Sequence, residues 1–154
     1  MGADVMTTPV DRRWQPRNPE YEQVVRAAFA RQSAMSLIGA TLDLVEPGRV
    51  DIGLPCSEQI MSHIPPVVHG GTIGMIADSA MGFAALTLAP AEGGGVTAEY
   101  KINMLSPAIG QKLIARGTVI KPGSKLTIAQ AEVVVVGDDG EKRVAMALGT
   151  LIPL

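Results

Sequence analysis

The chain has one cysteine, Cys56, and two histidines, His63 and His69. A lone thiol closes no internal disulfide, and a zinc site built on cysteines is excluded. Two histidines with no third ligand converging on them imply no metal centre. Aromatic residues are scarce, one Trp, two Tyr and two Phe, so a base-stacking platform is not expected. Charge is thin as well: charged residues make up 18% and the formal net charge is −2. No bulk positive field draws the chain to nucleic acid. The first twenty residues lack a basic start followed by an apolar run, so no secretory signal is read and a cytoplasmic protein is expected.

What is present suits a packed domain. Hydrophobic residues are 47% of 154, enough for a real core. Glycine (17) and proline (11) imply frequent turns. Cys56 follows Pro55 and has no local base beside it, so it reads as a small, semi-buried side chain.

The stretch 65–91 carries one carboxylate, Asp78, and no Lys or Arg. It is long enough to span a bilayer. Its four glycines, the mid-span acid and the missing basic flanks argue for a helix buried in protein instead. No membrane association is expected.

Residues 1–18 hold Pro9 and Pro16 with little periodicity and read as a flexible arm, which Trp14 could pin down. Residues 19–154 read as one domain. Pro19 opens a helical pattern with Tyr21, Val24, Val25, Ala28 and Phe29 on one face. After Ser33 the period changes: Leu42 and Leu44 lead to the turn Glu46-Pro47-Gly48, and Val50, Ile52 and Leu54 alternate on the return. An apolar helix is expected over about 72–88, ended by Pro90 and the glycines 93–95. Four strands follow. In the first, Val96, Ala98, Tyr100, Ile102 and Met104 alternate with Thr97, Glu99, Lys101 and Asn103; the others cover about 112–121, 125–136 and 142–152. Short turns between them imply antiparallel pairing. A helix apolar nearly all round must be enclosed. A curved antiparallel sheet of about six strands wrapped round one long helix does that; this α+β arrangement is the hotdog fold.

Asp78 is the one acid in that helix. A buried, unpaired carboxylate is costly. It either hydrogen-bonds a neighbouring strand for structure or performs chemistry. His69-Gly70-Gly71 opens the same helix. Free N–H groups at a helix start favour negative charge, and one aimed at an oxyanion contributes about 3–4 kcal/mol to a transition state. A turn that merely lets the helix begin, with His69 as its cap, is the plainer reading. Gly70 and Asp78 are eight residues apart, about 12 Å along a helix. One copy cannot bring both to a single carbonyl. Two antiparallel copies across a two-fold axis can, and Gly74, Ala77 and Gly82 are small enough for close approach. If Asp78 and Gly70 act together, the protein is an obligate dimer.

The runs HGGTIGMIADSAMG, VTAEYKINMLSPA and LIARGTVIKPGSKLTIAQAEV resemble the PaaI-type acyl-CoA thioesterases of the hotdog superfamily. The resemblance extends over roughly 37–152. It implies a thioester hydrolase with Asp78 as general base or nucleophile and the Gly70 amide, beside His69 and Gly71, polarising the thioester carbonyl. Thr97 would hold the attacking water. The loop Lys121-Pro122-Gly123-Ser124-Lys125-Leu126 would contact coenzyme A, with Lys121 and Lys125 as cations for phosphate. Relatives often carry Asn or Gln six residues before the motif histidine; His63 stands there here, and either donates a hydrogen bond to the substrate in its stead or is an exposed loop residue. Coenzyme A would be part of the substrate, and no separate cofactor or metal is implied. The expected assembly is a homodimer or a dimer of dimers. An aryl or short-to-medium acyl group would suit a lining of Met61, Met75, Met81 and Met104, if these are not simply core. A non-catalytic acyl-CoA binder and a hotdog enoyl-CoA hydratase are the alternatives.

Overall fold

The computed structural model describes residues 14–154; the greater part of the expected N-terminal arm lies outside the described residues. Helix α1 spans Tyr21–Arg31, short helix α2 Ser33–Ile38 and long helix α3 Gly70–Leu86. The strands are β1 (Thr41–Glu46), β2 (Arg49–Pro55), β3 (Gly95–Met104), β4 (Lys112–Lys121), β5 (Thr127–Gly137) and β6 (Gly140–Pro153). They form one antiparallel sheet in the order β1-β2-β4-β5-β6-β3. The curved sheet with its long helix is the hotdog fold. No helix among the described residues is long and apolar enough to cross a membrane.

Local chemistry sets most boundaries. Gly48 and Gly140 take positive φ at two hairpin turns, where a side chain would be strained. α2 was not anticipated. It is only six residues long and is closed by Gly39 at φ 75°, so its period is too brief to read in sequence. α3 begins two residues earlier than expected because His69 caps it. β5 starts at Thr127 rather than 125, since Lys125 and Leu126 still belong to the exposed loop.

α3 lies on the sheet, with its buried face made by Ile73, Ile76, Ala77, Ala80, Met81 and Ala84. The approach is closest at Gly117 of β4, where a Cβ would overlap the Ala80 carbonyl. Ile52, Leu54, Leu113, Val133 and Val144 fill the space beneath. Each such side chain contributes roughly 1.5–3 kcal/mol on leaving water. α1 covers the opposite side of α3 through Val25 and the tilted Phe29–Phe83 ring pair. Trp14 does pin the chain: its indole packs on Gly48, leaving no room for a side chain there.

Candidate active site

The start of α3 is held by its backbone. His69 donates its N–H to the Ile60 carbonyl, and Val68 donates to Ala108. His69 is extended (φ −63°, ψ 132°), and its Nδ1 accepts the Gly71 N–H at 2.9 Å. Its carbonyl accepts the amides of Thr72 and Ile73 at 3.0 and 3.3 Å. His69 is therefore the helix cap, and the Gly71 amide is occupied. Among the described residues, nothing accepts the Gly70 N–H. The helix end presents one free donor, and Gly70 carries it.

Asp78 stands two turns further along. It is half-buried rather than sealed in the core. Thr97 on β3 donates its hydroxyl to Asp78 Oδ1 at 2.7 Å. No other hydrogen bond reaches that carboxylate among the described residues, so Oδ2 stays available as a base.

The Thr97 contact needs an irregularity that strict alternation does not foresee. Alternation places Thr97 with Glu99 and Lys101, opposite Tyr100. The β3–β6 register instead shifts between Thr97 and Glu99. This bulge adds one residue and reverses the facing of what precedes it. Thr97 and Tyr100 thus both face α3. The Tyr100 hydroxyl rests against Gly74, 3.0 Å from where a Cβ would stand, so the room at Gly74 is filled by the chain's own tyrosine. Glu99 faces the other way and accepts from Thr150. The alternating apolar set of β3 is not buried either: Val96 and Met104 are 49% and 48% exposed on the sheet's edge strand.

Asp78 and Thr97 open on a cleft of about 770 Å³. Gly123 and Ser124 of the expected coenzyme A loop line the same cleft. Gly123 donates its N–H to Thr127 Oγ1 at 3.3 Å, and a Cβ there would overlap the Leu126 carbonyl. Lys121, Lys125 and Leu126 are exposed outside its wall, as are His63 and His69, and neither Gly70 nor Gly71 lines it. One protomer thus gathers Asp78, Thr97, Gly123 and Ser124 and leaves the remaining candidates elsewhere.

The cleft's apolar wall is not methionine. Met81 is fully buried in the core, Met61 packs against the core, and Met75 and Met104 lie on the surface. Val24, Ala28, Phe83 and Leu86 make the wall, where α1 crosses the second half of α3. The helical pattern of α1 was legible, but its facing partner was not. Sequence reasoning also missed a polar pair in this wall: Gln32 donates its amide to Ser79 Oγ at 3.2 Å. Cys56 is half-buried away from the cleft, and burial pushes its thiol pKa up, the wrong direction for a nucleophile.

The family model described as the thioesterase superfamily matches residues 66–141, which contain the α3 start, Asp78, Thr97 and the 121–126 loop. A solved thioesterase family protein from Silicibacter pomeroyi is 37% identical, with a TM-score of 0.85 over 87% of this chain and 98% of that one. A thioesterase from Haemophilus influenzae is similar in fold, with 20% identity and a TM-score of 0.74 over 87% of this chain and 90% of that one. So is the PaaI protein of the E. coli phenylacetic acid degradation operon, with 19% identity and a TM-score of 0.77 over 88% of this chain and 94% of that one. The chain belongs to the thioesterase superfamily, enzymes that hydrolyse thioester bonds.

Proposed function

We propose that the protein hydrolyses acyl-CoA thioesters at a site shared between two copies of the chain. One observation carries this reading. The Asp78 carboxylate, held by Thr97, opens on a cleft, while the Gly70 amide, the one at the start of its helix without an acceptor among the described residues, stands outside that cleft. Eight residues of helix separate them by about 12 Å. Base and oxyanion donor must each come within about 3 Å of the reacting carbonyl and its water. A second copy, with its α3 antiparallel across a two-fold axis, supplies the missing group. The unpaired edge of β3 and its exposed Val96 and Met104 support pairing along that strand.

In this scheme Asp78 Oδ2 takes a proton from water positioned with the help of Thr97. The water oxygen bonds to the thioester carbon, and the carbonyl electrons move to oxygen. The partner's Gly70 N–H holds that oxyanion. The C–S bond then breaks, releasing a thiolate that takes up a proton and the free acid. Direct attack by the carboxylate, followed by hydrolysis of the resulting anhydride, uses the same groups. The wall of Val24, Ala28, Phe83 and Leu86 receives an aryl or short-to-medium acyl group, and the 121–126 loop meets coenzyme A. Each dimer holds two such sites, and two dimers could assemble further.

Free-thiol release from a panel of acyl-CoAs tests the reading. Wild type releases thiol. Asp78→Asn loses about 10²- to 10⁴-fold in turnover while sedimenting as a dimer. Unchanged hydrolysis by that variant, or full activity in a monomer, refutes it. Saturable binding without thiol release would instead mark a non-catalytic binder. Water addition to an enoyl thioester without thiol release would mark a hydratase.

A further inference from the structure

Among the described residues that line the cleft, Asp78 is the one acidic side chain, and Arg17, which precedes α1, and Arg31, at the end of α1, are the two cationic ones. Neither arginine has a carboxylate partner among the described residues. Every other arginine there does: Arg26 with Glu22, Arg49 with Asp51, Arg116 with Glu132 and Glu141, and Arg143 with Glu132. The two unmatched guanidinium groups therefore line the same cleft as the unmatched carboxylate oxygen. The expected phosphate-binding lysines, Lys121 and Lys125, are absent from its wall. Arg31 is an exposed residue followed by Gln32, which hydrogen-bonds Ser79, the residue after Asp78.

We infer that Arg17 and Arg31 form an anion subsite of this cleft, taking a carboxylate or phosphate carried by the thioester substrate. The inference rests on the proposed hydrolytic function and deepens it. A guanidinium presents a planar fork of donors that matches either oxyanion. Val24, Ala28, Phe83 and Leu86 line the same cleft, so the favoured substrate is amphipathic: a thioester at Asp78, an apolar body, and an anionic group at the arginines. The anion belongs either to the acyl group, as a distal carboxylate, or to the phosphates of the thiol carrier.

Four thioesters separate these sources: glutaryl-CoA, valeryl-CoA, and the N-acetylcysteamine thioesters of the same two acids. Glutaryl and valeryl differ in a terminal carboxylate, and N-acetylcysteamine lacks phosphate. KM is measured for each with wild type and with the Arg17→Gln/Arg31→Gln double variant. The double variant loses about tenfold or more of the wild-type KM preference for anionic over neutral thioesters. Loss confined to the glutaryl–valeryl comparison assigns the subsite to an acyl carboxylate. Loss confined to the CoA–N-acetylcysteamine comparison assigns it to phosphate. Added salt erodes the same preference in wild type but not in the variant. Equal KM changes on all four substrates, or none on any, overturn the subsite while leaving the hydrolase reading intact. If wild type hydrolyses none of the four, that reading fails separately. Equilibrium binding of the same compounds then decides the subsite, and equal affinity in wild type and variant overturns it.

Discussion

Thr97 donates to Asp78 at 2.7 Å across the interface between β3 and α3, which leaves one carboxylate oxygen engaged and one free. The bond fixes the carboxylate's rotation, so the free oxygen is presented to the cleft rather than averaged over orientations. Thr97→Val keeps the shape and removes the donor. We expect kcat to fall about tenfold or more, with Thr97→Ser restoring most of it, as measured by steady-state thiol release. Equal losses in the Ser and Val variants would show that the hydroxyl is not what matters.

A site shared between copies can be tested by mixing inactive variants. Gly70 is the first residue of α3, where proline is well tolerated, and His69 already has the extended backbone that a following proline demands. Gly70→Pro should therefore remove the N–H without breaking the helix. Homodimers of Gly70→Pro and of Asp78→Asn should both be nearly inactive. In a mixed dimer, one intact Asp78 faces one intact Gly70. Random mixing should restore roughly a quarter of wild-type specific activity. Activity that stays absent in verified mixed dimers would mean each site lies within one chain.

Thr87 ties the end of α3 to the β1–β2 turn. It is fully buried, accepts the Gly48 N–H at 2.7 Å and donates to the Ala84 carbonyl at 2.6 Å. Thr87→Val leaves the Gly48 amide without its partner. Stability should fall by about 1–3 kcal/mol, read as a lower denaturant midpoint with an unchanged m-value. A variant as stable as wild type would show that the turn finds another acceptor.

Gly117 sets how closely α3 lies on β4. A methyl there meets the Ala80 carbonyl, which is backbone and cannot rotate away. Gly117→Ala should cost about 1–3 kcal/mol or more, whereas Gly137→Ala, with open space around it, should cost far less. Thermal unfolding of the two variants side by side gives the comparison, and equal losses would contradict close packing as the cause.

The apolar run of α3 required enclosure, and Asp78 within it could be singled out from its residue type alone. The fixed rise of a helix keeps Asp78 and Gly70, eight residues apart, about 12 Å from each other in any fold. Glycine and proline marked the hairpins, because turn chemistry is local. The facing of Thr97 was not legible in this way. Ala98 looks like any other alternating residue, and only the hydrogen-bond register with β6 makes it the extra one. The apolar wall of the cleft was hidden for a related reason. Helical spacing shows that Val24 and Ala28 share a face, but not that Phe83 and Leu86 lie across from them.

From the chain alone came its element types, the fold they imply, and a lone acid that needs a distant donor. These follow from periodicity, backbone chemistry and the fixed rise of a helix. Tertiary structure alone decided which oxygen of Asp78 is free, that His69 is spent as a cap, and that Arg17 and Arg31 share a cleft with the acid. Those relationships join segments remote in sequence or depend on one added residue in a strand, and neither packing partner nor register is written in local pattern.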